Sequence, residues 1–166
     1  EVLSADGSQA TQLTKDDDEQ DTPVWSPNGE YIAFTSIDGE NFEINLIRRD
    51  GSDRLNLSQS PGADLLAAWS PDSSRVAFYS TRDGNGEIYV INIDGSGLTN
   101  LTNSETDEGA PVWSPDGSRM AFCSFVDGFP DVYVMNADGS GKIRLTFGAV
   151  AESIAWSPDG AHLAFV

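Results

Sequence analysis

Carboxylates recur at one place in this sequence, a few residues ahead of each tryptophan. Tryptophan stands at positions 25, 69, 113 and 156, and counting back four or five places from each reaches Asp21, Asp64, Glu108 and Glu152, with Asp107 beside one of them. The segments that carry them are "KDDDEQDTP" (15–23), "GADLL" (62–66), "NSETDEGAP" (103–111) and "GAVAES" (148–153). Carboxylates gathered at one mouth repel one another unless a cation or water offsets the charge. Calcium, a hard ion that takes oxygen ligands, is the natural cofactor, so these five acids are the candidate metal ligands. The plainer alternative is that they are solvated loop residues, because no single loop carries a complete ligand set. "DGNGE" (83–87) and "DGENFE" (38–43) lack the spacing of an EF-hand calcium loop and read as turns.

Other chemistry has little material. His162 is the only histidine and Cys123 the only cysteine, which leaves no Ser-His-Asp triad, histidine-held zinc, intrachain disulfide or thiolate zinc site. "DGSG" at 94–97 and 138–141 is a turn rather than the nucleophile elbow of a hydrolase. No catalytic residue is assigned, and Cys123 reads as a small buried hydrophobe. Phe125, Phe129 and Phe147 fall in loops, where they would either line a binding surface or anchor the loop.

The charge narrows the partners. With 27 acids against 9 bases the formal net charge is −18, a surface that repels nucleic acid phosphates and anionic lipid. It favours metal ions and basic proteins or peptides. No apolar run is long enough to span a bilayer, so no membrane insertion is expected.

The elements that must position the acids follow from repetition. The phrase "VWSPDGSRMAFCS" (112–124) has near copies at 24–36, 68–80 and 155–166, and the tryptophans are 44, 44 and 43 residues apart. A fixed period of this size marks a repeat architecture. Each unit reads as a short strand ending in Trp, a Ser-Pro-Asp-Gly turn, a second strand, a third strand such as "EIYVINI" (87–93), an Asp-Gly turn and a fourth strand ending in Leu-Thr or Leu-Ser. No segment holds a helical period. Middle strands that are apolar on both sides need cover on both sides, and radial stacking of four-stranded sheets supplies it. The four tryptophans are therefore expected to pack between neighbouring sheets rather than to bind a ligand.

The units resemble TolB-like β-propeller repeats, which also occur in the propeller domains of prolyl oligopeptidase-like and tricorn-like peptidases. The resemblance is carried by P-x-W-S-P-D-G, A-F, E-I-Y-V and D-G-S-G before L-T, covers essentially the whole chain, and is fullest in the third unit. Ser73 stands in place of the turn glycine of the second unit, and Asn28 in place of the aspartate of the first. The resemblance implies ligands at a central channel reached by the loops before each Trp strand, an ion held there in some members, and a periplasmic or secreted location. Its functional implication is a non-enzymatic binding scaffold for a protein or peptide. The alternative is a hydrolase, or the substrate-gating propeller of a peptidase or glycan-degrading enzyme.

The expected fold is one all-β propeller domain or half-propeller over 1–166, with blades at 15–58, 59–102, 103–146, and 147–166 completed by 1–14. Alignment of the repeats starts the chain in a third strand and ends it in a second, so closure is expected where the N-terminal strands pair with the C-terminal ones. An eight-bladed ring made by a homodimer, with exchanged ends, is the favoured closure. A four-bladed monomer and a fragment of a longer protein are the alternatives. The absence of an initial Met makes the sequence read as a mature or trimmed product.

Overall fold

The computed structural model describes residues 1–15, 19–38, 41–148, 151 and 153–166. These residues form an all-β protein, with a single 3-10 turn at Val126–Gly128. Three sheets have four antiparallel strands each. The first runs β3 (Glu19–Trp25), β4 (Tyr31–Asp38), β5 (Asn41–Arg48), β6 (Leu55–Asn56), and the second β7 (Asp64–Trp69), β8 (Arg75–Ser80), β9 (Glu87–Asn92), β10 (Thr99–Asn100). The third runs β11 (Glu108–Trp113), β12 (Arg119–Ser124), β13 (Asp131–Asn136), β14 (Ile143–Arg144). Two hairpins flank them: β1 (Val2–Leu3) with β2 (Ala10–Thr11), and β15 (Ile154–Trp156) with β16 (Leu163–Phe165).

Turn chemistry sets the hairpins. In each Ser-Pro-Asp-Gly turn the serine carbonyl accepts the N–H three residues on, as from Gly117 to Ser114 at 2.9 Å. The last position takes a left-handed φ, 68° at Gly29 and 70° at Gly117. Ser73 accepts that conformation at φ 62°, and its hydroxyl accepts the Asn28 backbone N–H of the neighbouring turn at 3.1 Å. A side chain thus occupies the glycine position, and its contact across the blades offsets part of the local cost.

The apolar core lies between the sheets, in layers. Ile44, Leu46 and Leu57 of the first sheet meet Trp69, Val76, Phe78 and Tyr89 of the second. Ile88, Val90 and Leu101 of the second meet Trp113, Met120 and Phe122 of the third. Phe78 and Phe122 are fully buried, each contributing roughly 1.5–3 kcal/mol of transfer free energy.

The tryptophans act as staples between blades. Trp69 donates its indole N–H to the Val24 carbonyl at 3.0 Å, Trp113 to Ala68 at 3.3 Å and Trp156 to Val112 at 3.1 Å. Every acceptor is the residue before the preceding blade's tryptophan. Arg75 covers the Trp113 ring at 4.9 Å and Arg119 the Trp156 ring at 4.7 Å, which adds a cation–π contact to each staple. Trp25 is 47% exposed and has no such acceptor among the described residues.

Among the described residues, the first and last strands of one chain do not pair. β1–β2 and β15–β16 are separate two-stranded sheets. Each buries its apolar side on its own neighbour: Val2 and Leu13 on Ile32, Phe34 and Ile47 of the first sheet, Ile154, Trp156 and Leu163 on Ala121, Cys123 and Val132 of the third. Local packing satisfies each hairpin and leaves their hydrogen-bonding edges apart.

The staple is testable. Trp113→Phe keeps an aromatic ring but leaves the Ala68 carbonyl without its donor, and should lower stability by about 1–3 kcal/mol in urea unfolding. A loss within error would contradict this account of how the blades are joined.

Candidate functional site

Three groups of acids stand out in this fold. The aspartates of the tight turns are exposed and satisfied locally. Asp72 accepts from Ser70 at 2.6 Å and from the Ser74 N–H at 3.0 Å, and Asp116 accepts from Ser114 at 2.6 Å. These hydroxyl and backbone donors hold the carboxyls of Asp6, Asp72 and Asp116 down to about 2. They fix turns.

The second group was not anticipated from the sequence. Glu43, Glu87 and Asp131, 44 residues apart, stand at or near the start of the third strand in the first three blades and are buried. Each accepts a hydroxyl from the start of the following loop: Ser58 to Glu43 at 2.5 Å, Thr102 to Glu87, and Thr146 to Asp131 at 2.7 Å. Backbone donors complete the set, with the Ser104 N–H 2.8 Å from Glu87. Arg144 also reaches Asp131 at 2.5 Å. These acids lock the loop that leads to the next blade's inner strand. The available signal was an acid just before each apolar third strand, followed 15 residues later by Ser or Thr.

The third group lies at the entrance of the inner strands. In cross-strand register Asp64 faces Ser80 and Glu108 faces Ser124, but the residue facing Ser36 in the first blade is Gln20. Asp21 is one residue out of phase. A shift of one residue along a strand turns a side chain to the other face, and Asp21 is exposed, its carboxylate accepting the Thr22 N–H at 2.7 Å. Glu152 lies outside the described residues.

Asp64 and Glu108 are buried to different ends. Asp64 is fully enclosed, and Arg82 reaches its two carboxylate oxygens at 3.2 and 3.3 Å. The guanidinium lies 4.6 Å from the Tyr89 ring centre and also donates to the Ser58 carbonyl at 3.2 Å. Burial still pushes the Asp64 carboxyl up, with Arg82 and the nearby hydroxyls opposing it. Glu108 is 3% exposed and has no ion pair among the described residues. Its Oε1 accepts three hydroxyls, Thr106 at 2.6 Å, Ser104 at 2.7 Å and Ser124 at 3.0 Å. Its Oε2 is buried with no hydrogen-bond partner among the described residues. Burial raises the Glu108 carboxyl against the opposing pull of the Thr106, Ser104 and Ser124 hydroxyls, and the charge of Glu87 adds a smaller upward push.

Glu108 lines an open cavity of about 630 Å³ between the inner ends of the second and third sheets. Leu65, Leu66 and Tyr79 form one wall, Phe125 and Ala151 the other. Asp107 stands at the rim, its carboxylate accepting the Gly86 N–H at 2.7 Å. Two backbone features shape the wall. Thr22, Leu66 and Ala110 share one position in successive blades and take left-handed φ of 48°, 58° and 51°, where the inner strand slips register. Such strain costs about 1–3 kcal/mol per residue and often marks a functional edge. Gly86 is required by close approach, since a Cβ there would lie 2.3 Å from the Tyr79 ring. Cys123 is buried in the same wall and donates to the Ala151 carbonyl at 3.2 Å.

Of the five acids, the four that are described are not brought together as one ligand ring. Asp64 is taken by Arg82, Asp21 lines a separate cavity beside Trp25 and Phe34, and no three His, Cys, Asp or Glu side chains are grouped to hold a metal among the described residues. Among the described residues, Asp107 and Glu108 are the acids that share the cavity.

The two kinds of acid predict opposite pH responses. A carboxyl held low in the fold contributes stability above its unfolded value, and that contribution is lost as pH falls through the folded value. For Asp72 and Asp116 the loss spans roughly pH 4 to 2. A carboxyl held high acts the other way: its folded form gains stability as pH falls and it becomes neutral. Glu108→Gln should therefore be more stable than the parent at pH 7, by about 1 kcal/mol. The gain should vanish near pH 4 in denaturant titrations. A variant destabilised at pH 7 would contradict the reading of Glu108 as an unpaired buried charge.

Residues 1–166 match the model of the TolB beta propeller domain. Curated proteins provide no match. Among solved structures, a protein assigned as TolB from Agrobacterium tumefaciens is similar with TM-score 0.75 and 25% identity, over 93% of this chain and 61% of that one. TolB from Acinetobacter baumannii gives 0.75 and 26%, over 98% and 41%. An oligogalacturonate lyase from Vibrio parahaemolyticus gives 0.73 and 19%, over 98% and 50%, a likeness of fold. The chain spans less than two thirds of each of these proteins. Stacked four-stranded blades, tryptophan staples and a match along all 166 residues lead to one assignment: the chain belongs to the TolB beta propeller domain family.

Proposed function

We propose that this chain is a non-enzymatic binding module, periplasmic or secreted, whose loop face takes a protein or peptide partner rich in basic side chains. The observation that carries the reading is the cavity of about 630 Å³ whose walls are apolar while Asp107 and Glu108 supply negative charge. Apolar walls with a few convergent polar groups are the usual make-up of a ligand pocket. A formal net charge of −18 steers cations toward it.

Calcium fits the described residues poorly. The ion takes six to eight oxygen ligands, whereas the cavity offers one unpartnered carboxylate oxygen and the rim acid Asp107. A basic side chain makes fewer demands. Fluorescence anisotropy with a labelled Lys/Arg-rich peptide should show binding that weakens as salt rises, and an acidic peptide of equal length should not bind. Equal binding of both would overturn the reading, and a thermal shift with calcium chloride alone would move the cation from side chain to metal.

We also propose a second copy of the chain as structural partner. Trp25 exposes its indole, and Ala155 holds the position whose carbonyl accepts the staple in the other blades. Val24, Phe165 and Val166 are exposed beside these two places. A face built like the buried ones and left open fits an identical repeat. Light scattering should give about twice the 17.8 kDa chain mass, falling to one chain for Trp25→Asp. A parent protein at one chain mass overturns the dimer.

A further inference from the structure

Glu108 and Asp64 occupy the same place in successive blades, and the chain itself shows what that place holds. Each opens an inner strand, each faces a serine across the sheet, Ser124 and Ser80, and each is buried. The difference is the cation. Two residues after Ser80 comes Arg82, which folds back onto Asp64. Two residues after Ser124 comes Val126, which offers no charge.

The consequence is the unpartnered Oε2 of Glu108. Protonation removes the buried charge but leaves the second oxygen without a partner among the described residues. A buried carboxylate left half-satisfied is costly, and a cation placed against it recovers much of that cost. The cavity that Glu108 lines suits the rest of a long basic side chain. Leu65 and Leu66 offer apolar contact for the methylenes, and the Tyr79 and Phe125 rings offer faces for a flat cation. Asp107 at the rim adds a second negative group, close enough to push the Tyr79 hydroxyl up after burial has done so.

We propose that this cavity is a recognition pocket for an arginine side chain of a partner, whose guanidinium pairs with Glu108 as Arg82 pairs with Asp64. The site deepens the binding-module reading and rests on it. Arginine is favoured over lysine because a planar guanidinium can stack on a ring while it donates to a carboxylate, as Arg82 does between Tyr89 and Asp64.

The test uses acetyl-arginine amide as probe, with acetyl-citrulline amide as its uncharged isostere and acetyl-lysine amide as the point charge, titrated into the whole chain by protein-detected NMR. Arginine amide should bind at least about tenfold tighter than citrulline amide, a difference of about 1.4 kcal/mol, and should shift the amides of Tyr79, Glu108 and Phe125. Glu108→Gln, expected to be folded and more stable at neutral pH, should lose that preference, which separates lost recognition from lost folding. Equal affinity for citrulline, or unchanged arginine binding by Glu108→Gln, overturns the pocket. If a Lys/Arg-rich peptide binds the parent and Glu108→Gln alike, the pocket is wrong while the binding-module reading stands. If neither probe nor peptide binds, both fall.

Discussion

Sheets that are apolar on both sides have to be covered on both sides, and everything else in this molecule follows from how that cover is provided. Phe78 in the second sheet packs with the first, and Ile88 in the same sheet packs with the third, so the second sheet has no free face. The cover is keyed by one donor per blade. An indole N–H reaching back to the previous inner strand fixes both spacing and height, because a slipped sheet would leave a buried carbonyl without its donor. The period of the sequence is therefore a period of contacts.

Stacking in this way brings the inner strands side by side at their loop ends, where the backbone has few ladder partners and polar side chains must do the joining. Glu43, Glu87 and Asp131 do so by accepting a hydroxyl and backbone N–H groups from the loop that leads to the next blade. The Glu108 N–H then donates to the Gly86 carbonyl at 2.8 Å, which ties the third blade to the second blade's loop. Buried carboxylates are stable where donors surround them and costly where they do not. The second blade meets that demand from within through Arg82, and the third meets it only for one oxygen. Structure and recognition share the same acids.

Much of the fold was legible in the sequence. The 44-residue spacing, the Ser-Pro-Asp-Gly and Asp-Gly turns, the packing of Trp69, Trp113 and Trp156 between blades and the tolerance of Ser73 at a glycine position all follow from local patterns that the structure repeats, whereas Trp25, expected to pack likewise, is exposed. The site was legible only in outline. Counting back from each tryptophan crosses the place where the inner strand slips register at Thr22, Leu66 and Ala110, and acids four and five places back then face opposite ways. This is why Asp64 and Glu108 share a position while Asp21 does not. The role of Arg82 was hidden because its partner is 18 residues earlier on another strand, and charge on a turn reads as solvation. Glu87 was hidden for the reverse reason: in a strand rich in Ile, Tyr and Val it looks like an edge residue.

The central claim is that Glu108 is a buried carboxylate short of a counter-charge. Carboxyl-detected NMR titration of the isotopically labelled protein, read at Glu108, tests it most directly. The account expects a midpoint above the ordinary glutamate value of about 4.3, with the carboxyl signal of Asp72 titrating well below it in the same sample. A Glu108 midpoint at or below the ordinary value would show that the carboxylate is already satisfied, and would contradict the account.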